Sequence, residues 1–248
     1  MSDGSEFLYN KPRYCFWFPD YFPAEFSNNK EISARLKLVQ KMRIASTDPK
    51  TRELANQPYR FREMRNFKSF IIIPSVTSEN RIYIPIGFGN ESIIPTNLLL
   101  IIPNGNLFHF GILTSAMHMT WVKSVCGRLK SDIRYSKDIV YNNFPWPETP
   151  NEKQIMAIET AAQKVLDARS AFPDFSLANL YAPLTMPSAL VKAHNELDKA
   201  VDLAYRPQPF TSEANRLVYL FELYEKYTTN LFTTIKPKKT KKLKNNDK

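Results

Sequence analysis

The spacing of apolar residues changes character near residue 150, and this limits the possible folds more than any single motif does. Beyond that point every repeat is helical. Thr149-Pro150-Asn151-Glu152 reads as a capping box with proline at the first helical position. Ile155, Ile158, Ala162, Val165 and Leu166 follow at helical spacing. A second helix is expected from about Pro187, with Leu190, His194, Leu197 and Val201 on one stripe. A third begins near Ser212 with Leu217, Leu220, Phe221 and Tyr224. Three amphipathic helices on short connectors make a small bundle or a docking platform.

Before residue 150 short β-like runs dominate: FIIIP at 70–74, RIYIPIGF at 81–88, NLLLII at 97–102 and DIVYNNF at 138–144. Asn104-Gly105, between runs ending at Ile102 and starting at Leu107, is a hairpin signal. Two helices interrupt the strands. One spans 31–45 with Ile32, Leu36 and Val39 on one face. The other spans 109–126, is mostly apolar and therefore buried, and stops at Gly127.

Composition narrows the chemistry. Apolar residues at 43% and charged ones at 23% exclude a disordered chain. No apolar run approaches the roughly 18 residues that cross a bilayer, and no N-terminal signal pattern appears. The expectation is a cytoplasmic protein with no membrane partner. Two cysteines, Cys15 and Cys126, argue against a disulfide scaffold and a structural zinc site. Six glycines and three histidines leave little for a self-contained nucleotide-using enzyme.

Charge is unevenly placed. Residues 1–150 hold 19 Lys/Arg against 13 Asp/Glu, residues 151–235 hold 8 against 10, and residues 236–248 hold 7 against one. A basic first part and tail around a mildly acidic segment suggest a polyanion-facing region joined to one with another task. The tail itself reads as a solvated, disordered end.

Several motifs fall short of chemistry. Gly87-Phe88-Gly89 resembles a nucleotide-cradling turn, but Ser92 stands where the third glycine belongs, so a strand-ending turn is the better reading. Asn143-Phe144-Pro145-Trp146 resembles the Asn/Asp-Pro-Pro-aromatic loop of amino-group DNA methyltransferases. Phe144 replaces its first proline, which leaves a hydrophobic strand exit that caps the core. Asp20 and Asp48-Pro49-Lys50 are too loosely spaced for a nuclease. His109, His118 and His194 have no metal-ligand spacing and read as core or surface histidines.

The informative stretch is GRLKSDIRYS at 127–136. If it is extended, Arg128, Lys130, Asp132 and Arg134 point one way together. Lys130 would then donate to guanine, Asp132 accept from cytosine N4, and Arg134 grip guanine or phosphate. A solvated strand face with an internal ion pair fits the same spacing, and on period alone it fits better. Upstream, residues 30–68 hold 11 Lys/Arg against 4 Asp/Glu, with Arg60, Arg62 and Arg65 interleaved with aromatic residues. Such clusters neutralise phosphates without reading sequence.

Two long runs resemble a known family: MHMTWVKSVCGRLKSDIRYSKDIVYNNFPWPE (117–148) and SLANLYAPLTMPSALVKAHNELDKAVDLAYR (176–206). They are similar to the C-terminal half of MmeI-like enzymes, fused adenine-specific DNA methyltransferase–restriction proteins called Type IIL. EFLYNKPRYCFW (6–17) and SFIIIPSVTSENRIYIPIGF (69–88) resemble the same proteins in the same order. The resemblance implies a target recognition domain and a C-terminal helical segment, with the nuclease and the S-adenosylmethionine motifs upstream. It assigns base recognition to GRLKSDIRYS, with Lys130 and Asp132 at its variable charged positions and Arg134 at a further basic one. Phe144, Pro145 and Trp146 match a family signature that closes the recognition domain.

The expectation is therefore an α+β chain, a mixed strand/helix target recognition domain at 1–148 and a small all-helical domain at 149–235, with a basic disordered tail at 236–248. Lys130, Asp132 and Arg134 are expected to meet bases, and Arg128, Lys123, Ser131, Arg60, Arg62 and Arg65 the DNA backbone. No cofactor is expected in this chain; S-adenosylmethionine belongs to the catalytic part of the parent enzyme. The expected partners are double-stranded DNA and a methyltransferase catalytic domain or subunit. The rival from another class is a non-catalytic RNA-binding or protein-docking module with a basic tail.

Overall fold

A computed structural model describes residues 2–18, 21–64 and 67–233. Asp20, Arg65 and the lysine tail lie outside them. The architecture is α+β, with two small antiparallel sheets followed by helices.

In the first sheet β1 (Ser69–Pro74) lies between β3 (Gly87–Asn90) and β4 (Leu99–Pro103), and Ile71 opposes Phe88 and Ile102. Successive side chains of a strand point to opposite faces. Ile71 and Ile73 therefore enter the main core, whereas Phe70 and Ile72 join Leu99 in a second, smaller one. Burial on both faces explains the unbroken apolar run. Gly87-Phe88-Gly89 is strand, not the expected turn. A Cβ on Gly89 would lie 2.5 Å from Phe70 and 2.8 Å from Ile72, so glycine here lets β1 side chains lean across.

Four other expectations are corrected. The run 81–88 is strand only from Gly87, because Pro85 has no N–H for a ladder; Tyr83, Ile84 and Ile86 are buried as an irregular segment. The run 138–144 is no strand, since Lys137–Tyr141 makes one wide helical turn capped by the Ser136 hydroxyl. Asn104 adopts the left-handed conformation (φ 56°), yet the chain leaves it into a helix capped by Asn106, because the neighbour of β4 is β1. The helix expected at 109–126 is two, α1 (Leu107–Leu113) and α2 (Ala116–Val125). The Ser115 side chain caps the second, and Gly127 begins a strand without a left-handed turn.

The late helices follow the sequence pattern: α3 (Glu152–Ser170), α4 (Ser188–Tyr205) and α5 (Glu213–Thr233). The cap of α3 is Asn151 with Gln154 closing the box, two residues later than expected. A short helix at Leu177–Leu180 was not foreseen, nor was one at Gly4–Tyr9. The early basic helix runs from Lys30 to Ile44, close to the expected 31–45. The core is continuous across residue 150. Gly111 of α1 sits against α3, where a Cβ would lie 2.7 Å from Ile158, and Trp121 of α2 packs on Phe221 and Tyr224 of α5. Phe144-Pro145-Trp146 caps this core: Tyr205 and Tyr227 donate to the Pro145 and Trp146 carbonyls, both at 2.9 Å.

Polar groups stitch the same region together. Asp198 of α4 accepts from the Tyr83 hydroxyl (2.6 Å) and from the Ala116 N–H (2.7 Å) that opens α2. Arg169 donates to the Ile86 carbonyl (2.6 Å) and to Tyr181, whose hydroxyl lies 2.7 Å from His194 Nε2. Burial drives the His118 pKa down to about 4 and that of His194 to about 3, and lifts Asp198 to about 6. The two histidines give a stability that is complete above their unfolded value of 6.5 and is lost as the pH falls toward 4. Asp198 acts in the opposite sense, adding stability as the pH falls from about 6 toward 3.8. Two depressed histidines act against one raised aspartate, so the net effect of acidification is a loss of stability. Urea melts should show a lower midpoint at pH 4.5 than at pH 7. A midpoint that rises on acidification would mean that Asp198 dominates.

Candidate nucleic-acid interface

The helix α2 ends at Val125 and delivers the chain into a tight hairpin of β5 (Gly127–Leu129) and β6 (Asp132–Arg134), with β2 (Val76–Thr77) on the far side of β6. Gly127 pairs with Arg134, Arg128 with Ile133 and Leu129 with Asp132. Lys130 and Ser131 form the turn, and Lys130 takes a left-handed conformation (φ 56°). The expected single strand face is thus corrected: a reversal separates Lys130 from Asp132. Asp132 and Arg134 do share a face, which points outward because Ile133 and Tyr135 are 0% and 3% exposed. Lys130 projects from the tip instead.

The hairpin stands on α2. The buried His118 ring is neutral, and its Nδ1 lies 2.7 Å from the Leu113 carbonyl, so Nδ1 holds the proton and donates there. Its Nε2, 3.0 Å from the Tyr135 hydroxyl, accepts from the residue that follows β6. Trp121 donates to the Val140 carbonyl at 3.1 Å. These anchors fix the base of the ribbon. Across its turn, Arg128 donates to the Ser131 carbonyl (3.2 Å) and lies 3.9 Å from Glu79. Arg81 donates to Thr77 Oγ1 (2.9 Å); burial lowers its pKa, and Tyr9 and the nearby Asp132 oppose that. His118, a core or surface histidine by sequence, is fully buried, whereas Arg81 was not singled out there. Their significance lies in pairings 17 and 4 residues away that no periodicity marks.

The backbone candidates are dispersed. Arg128 and Ser131 lie in the hairpin, and Lys123, in the last turn of α2, forms an ion pair with Glu213 at 3.0 Å. Arg62 pairs with Asp48 at 2.7 Å, and Arg60 lies near Gln57. Arg43, unnoticed in the sequence, shapes their loop by donating to the carbonyls of Leu54, Gln57 and Arg60 at 2.6–2.9 Å. Arg65 falls outside the described residues.

Neither near-miss motif is arranged for what it resembles, a nucleotide cradle at Gly87-Phe88-Gly89 and a target-base loop at Asn143-Phe144-Pro145-Trp146. The space beside Gly89 is filled by Phe70 and Ile72. The Asn143 amide donates to the carbonyls of Asp138 and Ile139, and the Phe144 and Trp146 rings meet edge to face against the core. Among the described residues no group of three His, Cys, Asp or Glu could hold a metal, and no helix is long and apolar enough to cross a membrane.

The hairpin offers donors, acceptors and an apolar side chain on a two-stranded ribbon, a shape that the major groove admits. A left-handed backbone costs an L-residue about 1–2 kcal/mol, whereas glycine adds back roughly 0.5–1 kcal/mol of chain entropy. Lys130→Gly is therefore expected to keep or slightly raise the melting temperature. A clear loss of stability would show that the lysine side chain supports the turn.

Comparison with known proteins matches the MmeI target recognition domain to residues 1–148 and the MmeI C-terminal domain to residues 150–232. DNA methyltransferase A of Bacillus subtilis (strain 168) is 41% identical over 224 residues, which cover 90% of this chain and 25% of that protein. A solved structure of the Type IIL restriction-modification enzyme MmeI in complex with DNA superposes with a TM-score of 0.87 at 44% identity. It covers 92% of this chain, which spans 30% of that one.

Proposed function

We propose that this chain, which belongs to the family of MmeI target recognition and C-terminal domains, reads DNA sequence for a restriction-modification adenine methyltransferase. One observation carries the proposal: a rigidly footed ribbon presents Lys130, Asp132 and Arg134 at an exposed tip and face. Lysine has only donors and suits guanine O6 and N7; an ionised aspartate has only acceptors and suits cytosine N4. Together they fix the orientation of one G·C pair. Arg134 supplies a further base or phosphate contact. Arg128, Lys123, Ser131, Arg60, Arg62 and Arg65 supply affinity at the backbone. Methyl transfer, with its S-adenosylmethionine, is assigned to a catalytic region or subunit other than this chain. The relatives fit that assignment, since the chain spans only 25% and 30% of them.

Binding to duplex DNA should weaken steeply with salt. Each neutralised phosphate releases condensed counterions, so six or more contacts cost about 10³-fold or more between 50 and 200 mM salt. A fluorescence titration with duplex DNA against RNA of equal length separates this reading from the RNA-binding and docking alternatives. Salt-independent binding, or a preference for RNA, overturns it.

A further inference from the structure

We infer that Leu129 is a specificity-determining residue that reads a thymine C5-methyl group next to the base pair met by Asp132. The inference rests on the proposed entry of the hairpin into the major groove. Leu129 ends β5 as the register partner of Asp132, so the two side chains project from the same side of the ribbon. That side faces away from the protein, because Ile133, the next residue along β6 and so on the opposite face, is fully buried.

Leu129 is 49% exposed and belongs to neither hydrophobic core. Asp132 and Arg134 project from the same face, so an apolar side chain there adds little to folding. Paired side chains stand about 5 Å apart, and successive base pairs about 3.4 Å apart. Where Asp132 meets one base pair, Leu129 therefore reaches a neighbour. The base edges of the major groove carry polar atoms, and the thymine methyl is the apolar group among them. A leucine against guanine or adenine edges would leave polar atoms without partners; against thymine it buries a methyl group. Leucine and aspartate side by side thus specify a thymine adjacent to the oriented G·C pair.

The test is selection from randomised duplexes with the full chain, wild type and Leu129→Ser. Wild type should enrich thymine at one position beside the oriented G·C pair, and the variant should lose that thymine while keeping the G·C pair. Replacing that thymine by deoxyuridine removes only the methyl group. It should weaken wild-type binding about fourfold and leave the variant unchanged. Equal binding of both duplexes by wild type, or thymine preference kept by Leu129→Ser, overturns the inference while the G·C preference still supports the hairpin. Absence of any sequence preference overturns both.

Discussion

Exchanging the charges at the hairpin tip, Lys130→Glu with Asp132→Arg, is expected to turn one recognised base pair over. In the proposed reading the donors of Lys130 meet guanine and the acceptors of Asp132 meet cytosine. The exchange puts acceptors and donors in each other's places, so the flipped pair becomes the matched one. Each contact is worth about 1–3 kcal/mol of discrimination, roughly fivefold to over a hundredfold in relative affinity. Lys130 is exposed and Asp132 partly so, and substitutions at such positions usually change stability by about 0.5 kcal/mol. Sequencing the sites methylated when the chain is combined with the proposed catalytic region or subunit gives the readout. If every position is unchanged after the exchange, the two residues face solvent and do not read bases.

Trp121→Ala is expected to cost about 3–5 kcal/mol, a large share of the 5–15 kcal/mol that holds a typical domain folded. Trp121 is 2% exposed, touches Phe144, Phe221 and Tyr224, and donates to the Val140 carbonyl. It joins the helix beneath the hairpin to α5, so its loss should loosen the ribbon as well as the core. Trp121→Phe keeps most of the ring but orphans a buried carbonyl, for about 1–3 kcal/mol. Urea melts of the two variants should therefore rank Ala below Phe below wild type. Equal midpoints would show that α2 and α5 are held together elsewhere.

Elements that bury a simple pattern were legible in the sequence. β1 announced itself because both of its faces are covered, and α4 and α5 because each buries one stripe. The hairpin was not, since no Gly or Asn marks its turn and Lys130 adopts the left-handed backbone unaided. Extending GRLKSDIRYS as one strand kept the right residues together but misplaced Lys130 relative to Asp132. The break at Thr114-Ser115 was hidden because both sides of it are apolar; only the Ser115 cap separates the two helices. The local commitments of Arg62 to Asp48 and Lys123 to Glu213 depend on folding partners 14 and 90 residues away. Charge counts cannot reveal such pairings, so those residues read from sequence as free cations.

The most direct measurement of the central claim is the base preference of the chain itself, taken from randomised duplexes recovered at a salt concentration where non-specific binding is weak. Sequence reading by the hairpin predicts a short enriched motif containing one G·C pair of fixed orientation. It also predicts that the pair inverts when Lys130 and Asp132 are exchanged for glutamate and arginine. Recovery of duplexes without any motif, from a chain that still binds DNA in a salt-dependent way, would contradict it.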